Sequence, residues 1–312
     1  MDKQKCAIIG CGFVGSSIAF ALMESGLFST MVLMDINREK AEGEVMDLSH
    51  GLPFASPTHI YAGDYEDLKD CFLIIITAGA GQKEGETRMT LVDRNVAIYR
   101  EMIPKIAAVN QDAILLIVSN PVDILTYVAW KLSGFPPERV IGSGTVLDTA
   151  RLKYLLGRYL NVDSRSVHAF IIGEHGDSEL AVWSSANVSG VDLSDFCDIC
   201  GICHEDALNR LYLEVRDSAY RVIEKKGATY YGIAMAVRRI AQALVRDEHS
   251  VLTITSYVNG HYGVEDLYLG IPSVVGSWGA ERVLDIALSD EEHDNLMHSA
   301  QTLQNVLRQI GF

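Results

Sequence analysis

The chain has 312 residues, of which 48% are hydrophobic and 21% are charged, a balance that fits a folded globular protein and excludes a disordered one. Its 41 acidic and 26 basic residues give a net charge of −15, which argues against a surface for nucleic acid or anionic membranes. A chain of this length can bury a full hydrophobic core and form two subdomains.

The N-terminal region resembles a targeting segment in composition. Residues 6–23 carry no charge and follow Lys3 and Lys5, as in a signal peptide or a membrane helix. Three glycines and two serines make this stretch a poor membrane span, so we expect a strand, a turn and a helix of a folded domain instead. Six cysteines without a recognisable secretory leader predict free thiols and a cytoplasmic location.

The same stretch contains a glycine pattern typical of dinucleotide binding. An apolar run at 6–9 leads into Gly10, Gly12 and Gly15, spaced as G-x-G-x-x-G. In this pattern the first glycine permits a tight turn, the second lets the backbone approach a pyrophosphate, and the third lets the helix pack on the strand. Asp35 ends a second apolar run twenty residues after Gly15, where a carboxylate binds the adenosine ribose and repels a 2′-phosphate. The pattern therefore predicts an NAD site and disfavours NADP.

Strand-like and helix-like patterns alternate through residues 1–143. The apolar runs at 72–76 and 113–118 have the continuous β-branched character of strands buried on both faces. Helical periodicity covers about 38–49, 91–109 and 122–132. Repeated β-α-β units imply right-handed crossovers, so we predict an α/β fold whose first domain is a Rossmann NAD-binding domain with a doubly wound parallel sheet.

The pattern changes from residue 144 onward, which predicts a second, α+β substrate domain over residues 144–312. Helices are predicted at 147–160, 204–226, 230–246 and 289–310, and strands at 167–172, 251–258 and 267–274. We expect the ligand between the two domains, beyond the carboxyl ends of the first-domain strands. A charged, glycine-rich segment at 77–88 follows one of these strands, and its glycines are suited to act as hinges of a lid.

Five motifs resemble those of the L-lactate dehydrogenases, within the lactate/malate dehydrogenase superfamily. They are Gly10-Cys11-Gly12-Phe13-Val14-Gly15-Ser16-Ser17, Asp47-Leu48-Ser49-His50-Gly51, Glu84-Gly85-Glu86-Thr87-Arg88, Asp148-Thr149-Ala150-Arg151-Leu152 and Gly173-Glu174-His175-Gly176-Asp177-Ser178. They occur in the family's order and span nearly the whole chain. The resemblance implies an NAD-dependent enzyme of glycolysis and fermentation that interconverts pyruvate and L-lactate.

The resemblance implies four catalytic side chains. His175 would donate a proton to the carbonyl of pyruvate, since imidazole alone has an ordinary pKa near neutrality, about 6.5. Asp148 would accept the other ring N–H and stabilise the imidazolium. Arg88, brought in by lid closure, would polarise the carbonyl, and Asn120 would donate a hydrogen bond to the same oxygen.

The resemblance also implies how substrate and cofactor are bound. Arg151 would hold the substrate carboxylate with a bidentate fork, Gln82 would face the substrate's side chain, and Thr229 would border its methyl group. Pro121 would follow a cis peptide bond. The substrate-binding residues are Gln82, Arg88, Asn120, Arg151 and Thr229, and the NAD-binding residues are Gly10, Gly12, Phe13, Val14, Gly15, Asp35, Ala78, Gly79, Asn120 and Ser143.

Structural and functional alternatives remain open. Asp148 is also suited to cap a helix, and Arg88 could be a solvated residue of a helical first turn. The other functions are a malate dehydrogenase or another L-2-hydroxyacid dehydrogenase on the same fold, and a dinucleotide-binding protein without turnover. The complete catalytic set argues against the last, because a binding protein needs no proton donor.

The resemblance further implies a homotetramer or homodimer with allosteric control. Many bacterial relatives bind fructose 1,6-bisphosphate through an arginine and a histidine at a subunit interface. His168 matches the histidine, whereas Lys153 stands at the arginine's position, so weak or pH-sensitive activation is expected.

A cysteine cluster superficially resembles a metal site. Cys197, Cys200 and Cys203 are followed by His204, but no fourth cysteine with suitable spacing lies nearby. The spacing also fits one face of a helix, so we expect no metal.

Overall fold

The computed structural model of the chain describes residues 2–81, 88–200 and 205–312, without the side chains of residues 2, 88, 200 and 205. Gln82 and the rest of the predicted lid up to residue 87 therefore lie outside the described residues, as do Cys203 and His204. Arg88 is described only as the first residue of a helix.

The first half of the chain alternates strands and helices, as its apolar pattern predicts. Its elements are β1 (Asp2–Ile9), α1 (Phe13–Ser25), β2 (Thr30–Met34), α2 (Arg38–Gly51), β3 (His59–Ala62), β4 (Cys71–Ile76), α3 (Arg88–Val109), β5 (Ile114–Ile117), α4 (Val122–Ser133) and β6 (Val140–Gly142). Every residue of β4 and β5 is buried, because helices cover both faces of a parallel sheet. The helix ends follow local chemistry: the Asn37 side chain accepts from the N–H of Lys40 to begin α2, and Gly134 ends α4 in the left-handed region.

These six strands are parallel and lie in the order β3-β2-β1-β4-β5-β6. The order reverses direction between β1 and β4, which leaves a crevice at the carboxyl ends of these two strands. The predicted α/β class with a Rossmann sheet is confirmed.

The second half contains more elements than the sequence patterns predict. They are α5 (Val146–Leu160), β7 (Val167–Ile172), β8 (Leu180–Val188), β9 (Val191–Asp192), α6 (Leu193–Cys200), α7 (Glu205–Lys226), α8 (Tyr231–Arg246), β10 (Ser250–Val258), β11 (Leu267–Gly276), β12 (Gly279–Val283) and α9 (Asp290–Gln309). Four of these, β8, β9, α6 and β12, are absent from the prediction. They are short, or mix serine and asparagine with apolar residues, so their periodicity is weak.

The two halves share one sheet. Strands β10, β11 and β12 continue it antiparallel beyond β6, with Thr255 opposite Gly142. Strands β7, β8 and β9 form a separate antiparallel sheet that packs with α5, α6 and α7 around its own apolar core. The predicted division between residues 143 and 144 falls in the connection from β6 to α5. Among the described helices, none combines the length and the apolar run needed to cross a bilayer.

Candidate active site

The glycine loop between β1 and α1 is held in place by contacts that leave no room for side chains at two of its glycines. Gly10 has φ of +105°, and a Cβ there would lie 2.6 Å from the backbone nitrogen of Ala78. A Cβ on Gly15 would lie 1.8 Å from the carbonyl oxygen of Gly10. Gly12 differs, because a Cβ there would meet no atom within 4 Å. The loop thus packs tightly on its inner side and faces open space at Gly12.

The surroundings of this open space fit a dinucleotide. Helix α1 begins with no side chain capping its first turn, so its N–H groups and dipole can bind an anion. Asp35, at the end of β2, accepts a hydrogen bond from the N–H of Cys11 at 2.7 Å and from that of Asn37 at 2.9 Å. The carboxylate therefore stands beside the glycine loop, where a ribose of a bound cofactor would lie.

The remaining predicted cofactor residues lie along the same edge of the sheet. Phe13 is exposed on the first turn of α1 and stacks on Tyr230, with ring centroids 5.4 Å apart, and Val14 follows it half-buried. Ala78 and Gly79 follow β4, and Ser143 follows β6, where its N–H donates to Ile117.

Asn120 lies at the end of β5, joined to Pro121 by a cis peptide bond, as predicted. Its carbonyl oxygen accepts from the side chain of Asn95 at 2.8 Å. Asn95 also accepts from the N–H of Ala80 at 2.7 Å and is almost completely buried on α3. Asn95 thus ties together the two loops that follow β4 and β5, a role that the sequence reasoning missed because a single asparagine on a helix gives no periodic signal.

The second half brings a histidine and an arginine to one carboxylate. Asp148, in the first turn of α5 and only 2% exposed, lies 2.6 Å from Nδ1 of His175 through one oxygen. Its other oxygen accepts from Arg151 at 2.7 Å. Because Nδ1 is engaged, Nε2 is the imidazole nitrogen left to face a substrate. Asp148 therefore orients both side chains and is not merely a helix cap.

Charges around this group shift its proton affinities. Burial lowers the pKa of His175, but the charge and hydrogen bond of Asp148 outweigh it, with Glu179 and Asp123 adding, and the net effect raises that pKa to about 9. Burial raises the pKa of Asp148, but His175 and Arg151 outweigh it and hold that pKa below its ordinary value. His175 is thus protonated and Asp148 ionised near neutral pH, as a proton donor and its counter-charge require.

Asp123 is a second carboxylate behind the histidine that the sequence reasoning missed. It is buried on α4, accepts from the backbone N–H of His175 at 2.8 Å and accepts from the Thr255 hydroxyl at 2.6 Å. It therefore ties α4 of the first half and β10 of the second half to the histidine loop. Its place two residues after Pro121 was the signal that could have identified it.

The predicted pocket residue Thr229 and the predicted effector residues Lys153 and His168 lie on elements of the second half. Thr229 is half-buried in the connection from α7 to α8. Lys153 is half-buried on α5, where burial lowers its pKa, and His168 is exposed on β7. Among the described residues, neither Lys153 nor His168 forms a hydrogen bond or an ion pair with Asp148, Arg151 or His175.

The cysteines correct one expectation. Cys6, Cys11 and Cys71 are buried thiols outside any disulfide, as predicted. Burial, with the charges of Asp35 and Glu44 adding, raises the pKa of the Cys11 thiol to about 12. Cys197 is disulfide-bonded, so the expectation of free thiols is wrong at this position.

Two family models match the chain. The one described as the lactate/malate dehydrogenase NAD binding domain matches residues 4–142, and the one described as the lactate/malate dehydrogenase alpha/beta C-terminal domain matches residues 145–311.

Similar proteins include both curated relatives and solved structures. L-lactate dehydrogenase 1 of Clostridium acetobutylicum is 51% identical over 99% of each chain, and the L-lactate dehydrogenase of Acetivibrio thermocellus is 53% identical over 98% of this chain and 97% of the relative. The crystal structure of a lactate dehydrogenase from a Medee basin deep-sea metagenome library superposes with a TM-score of 0.98 at 46% identity over all of both chains. That of the minor L-lactate dehydrogenase of Enterococcus mundtii has a TM-score of 0.96 at 42% identity over 98% of each chain.

Proposed function

The chain belongs to the lactate/malate dehydrogenase family, and we propose that it interconverts pyruvate and L-lactate with NADH and NAD. The observation that carries this proposal is the double pairing of Asp148, with a protonated imidazole on one oxygen and a guanidinium on the other. A 2-oxo acid has a carbonyl and a carboxylate on adjacent carbons. One buried carboxylate thus orients a proton donor for the carbonyl and a cationic fork for the carboxylate.

The glycine loop and Asp35 are the residues that would hold the cofactor. The open space at Gly12 admits the pyrophosphate, and the N-terminus of α1 stabilises its charge. The Asp35 carboxylate accepts from the ribose hydroxyls and repels a 2′-phosphate, which favours NAD. Bound there, NADH supplies the hydride that ends on the carbonyl carbon of pyruvate.

His175 completes the reduction by giving the proton on Nε2 to the carbonyl oxygen, so that the alcohol of lactate forms without a free alkoxide. The imidazolium charge is delocalised towards Asp148, which stays ionised. In the oxidation of lactate the neutral imidazole takes the hydroxyl proton back. Arg151 holds the carboxylate of either acid throughout.

The lid and pocket residues contribute binding and polarisation. Arg88 stabilises the negative charge that develops on the carbonyl oxygen, and Asn120 donates to the same oxygen. Gln82 and Thr229 border the methyl group of pyruvate. Gln82 is neutral, so the second carboxylate of oxaloacetate would face no cation in the closed pocket.

NADH oxidation followed at 340 nm with pyruvate, oxaloacetate and 2-ketoisocaproate tests the assignment. We expect the highest kcat/KM with pyruvate. Equal efficiency with pyruvate and oxaloacetate would contradict it, and a preference for 2-ketoisocaproate would identify a branched 2-hydroxyacid dehydrogenase instead.

Assembly and effector binding are part of the proposal. Exposed apolar side chains on the packed pair α1 and α8, among them Phe20, Tyr231 and Met235, support a homodimer or homotetramer, which light scattering would test. Lys153 and His168 are proposed to bind fructose 1,6-bisphosphate. A cytoplasmic location is proposed because NADH and pyruvate are cytoplasmic metabolites, and cell fractionation tests it.

A further inference from the structure

Glu179 is a buried carboxyl group that the reaction described above does not use. It lies four residues after His175, immediately before β8, and is 5% exposed. Its backbone is well paired, since its N–H donates to Gly176 at 3.2 Å and its carbonyl accepts from the Tyr212 hydroxyl at 2.5 Å. Its side-chain oxygen Oε1, in contrast, is buried without a hydrogen-bond partner among the described residues. A carboxylate in this position is unfavourable, so the side chain has a strong tendency to hold a proton.

This carboxyl group belongs to the same cluster as the histidine and its aspartate. One oxygen of Glu179, one oxygen of Asp148 and one ring nitrogen of His175 all lie within 4.8 Å of one another. At this distance in a buried site, the charge of each group changes the proton affinity of the other two.

The charges that face Glu179 come from three directions. Asp148 and Arg151 face it from α5. His175 faces it from the loop before β8, and Asp123 lies behind His175 on α4. Arg216 and Tyr212 face it from α7. Burial and then the charge of Asp148 raise the pKa of Glu179, whereas His175, Arg151 and Arg216 lower it, and the net effect is a pKa of about 8. Glu179 therefore titrates within the range in which an enzyme can be assayed.

A count of charges links Glu179 to the substrate. With Glu179 ionised, the three anions Asp148, Asp123 and Glu179 outnumber the two cations Arg151 and His175. The carboxylate of pyruvate adds a further negative charge at Arg151, and Arg88 can offset only one charge. Protonation of Glu179 removes one of the negative charges beside Arg151, so the anionic substrate and the proton on Glu179 favour each other.

We propose that Glu179 is a further proton-binding residue of the active site, and that pyruvate binds only to the form in which both His175 and Glu179 hold a proton. The inference rests on the proposed function, because it concerns the binding of a 2-oxo acid carboxylate at Arg151. The proton on His175 is consumed by the carbonyl in each reduction, whereas the proton on Glu179 stays in place until the product leaves.

A cavity lies beside Glu179 and offers a control for the test of its role. Glu179 lines this cavity of about 940 Å³ between β8, α6, α7 and α9, together with Asp177, Ser178 and Tyr212. Glu291, exposed on the first turn of α9, lines the same cavity and provides a matched control.

The first test is the pH dependence of kcat/KM for pyruvate between pH 6 and 10 at saturating NADH. If both protons are required, the slope of log kcat/KM against pH approaches roughly −2 on the alkaline side for the unmodified enzyme. Glu179→Gln imitates the protonated acid, so its slope is limited to roughly −1, and the ratio of its kcat/KM to that of the unmodified enzyme rises several-fold between pH 7 and pH 9.5. Glu291→Gln keeps the steeper slope. A slope near −1 for the unmodified enzyme, or identical slopes with and without the Glu179→Gln change, would overturn the inference.

A second measurement does not depend on the folding of any variant. Oxamate, a non-reducible amide analogue of pyruvate, is added to the unmodified enzyme with NADH at pH 9 in the presence of an indicator dye, and proton uptake is counted. We expect more than one proton per site, since both groups are partly deprotonated before oxamate binds. Uptake that never exceeds one proton between pH 6 and 10 would overturn the inference. Failure to oxidise NADH with pyruvate at pH 7 would overturn the proposed function as well, whereas normal turnover with single-proton behaviour rejects the role of Glu179 alone.

Discussion

Asp148 has two partners that need it for different reasons. His175 needs a negative charge close to Nδ1 to remain protonated near neutral pH, and Arg151 needs an acceptor to hold its fork in one orientation. Because the carboxylate is almost completely buried, both interactions act in a medium of low dielectric and are stronger than they would be at the surface. Removal of either partner leaves a buried charge, so we expect changes within this group to affect activity and pH dependence together.

Replacement of His175 by asparagine should remove proton transfer and leave cofactor binding intact. The amide cannot donate a proton at neutral pH, so we expect kcat to fall by about 10²–10⁴. The affinity for NADH, measured by fluorescence titration, should change little because the glycine loop and Asp35 are unaffected. His249→Asn on the exposed surface is the control. A variant at His175 that kept most of its kcat would contradict the role as proton donor.

Replacement of Asp148 by asparagine should move the alkaline limit of pyruvate reduction to lower pH. Burial lowers the pKa of His175, and the charge and hydrogen bond of Asp148 are the main causes of its net rise to about 9, so without them the imidazolium loses its proton at lower pH and less enzyme can donate. In addition, kcat should fall by about 10³–10⁴, since the ring loses the group that fixes its tautomer. The measurement is kcat/KM between pH 5 and 10, with Asp163→Asn as an exposed control. An unchanged alkaline limit would show that Asp148 does not set this pKa.

Replacement of Gln82 by arginine should shift the substrate preference towards oxaloacetate. A buried, unpaired carboxylate costs about 2–5 kcal/mol, and the new guanidinium would pair with it. The measured quantity is the ratio of kcat/KM for oxaloacetate to that for pyruvate, and Gln301→Arg on the exposed face of α9 controls for added charge. An unchanged ratio in the Gln82→Arg variant would show that this residue does not determine the choice between the two substrates.

At the scale of elements, α1 depends on close backbone approach at one glycine and on open space at another. A Cβ at position 15 would lie 1.8 Å from the carbonyl of Gly10, whereas a Cβ at position 12 would meet nothing within 4 Å. The two glycines are three residues apart in one motif and answer different needs, the packing of helix on strand and the approach of a ligand.

The two alanine variants should separate these needs. Gly15→Ala must push α1 away from β1 and should lower the free energy of unfolding by about 1–3 kcal/mol or more. Gly12→Ala should keep its melting temperature and lose affinity for NADH, because the methyl group occupies the space of the pyrophosphate. Thermal unfolding and NADH titration of both variants are the measurements. Equal loss of stability in the two would contradict the distinction.

At the scale of the whole molecule, anion binding occurs on a chain of net charge −15. Overall charge repels anionic ligands, so each anion site depends on local cations and helix termini. In the proposed function, Arg151 provides the cation for the substrate and the N-terminus of α1 provides the positive end of a helix for the cofactor. At the proposed effector site, Lys153 offers a point charge without the bidentate fork of an arginine, so we expect a bisphosphate to bind there less tightly.

Activation by fructose 1,6-bisphosphate should therefore be weak or pH-sensitive. Lysine meets a phosphate only as a point charge, without the bidentate fork of the arginine that many bacterial relatives have at this position. Saturation curves for pyruvate at pH 6 and pH 7.5, with and without the bisphosphate, check this, and His168→Gln should abolish any difference. Curves that coincide with and without the bisphosphate at both pH values would contradict the proposed effector site.

The sequence by itself determined the α/β class with its Rossmann sheet and pointed to the residues of the candidate site. The β-branched strands and the glycine spacing predict the parallel sheet, because such patterns are local and periodic. The motifs around Asp148 and His175 pointed to two side chains that lie in contact in the fold, since the family resemblance lies in short contiguous segments.

Only the tertiary structure decided what supports that pair. Asp123 reaches His175 from 52 residues away, and Asn95 joins two loops across 25 residues. The role proposed for Glu179 depends on Asp148 and His175, which the fold places beside its carboxyl group, and on its Oε1 atom, which is buried without a hydrogen-bond partner among the described residues. The sequence also did not predict that β10, β11 and β12 extend the first-half sheet. The pairing of antiparallel strands across the two halves depends on which faces meet in the folded chain. Long-range hydrogen bonds and buried charge leave no periodic trace in a sequence, and for that reason the supporting residues had to come from the fold.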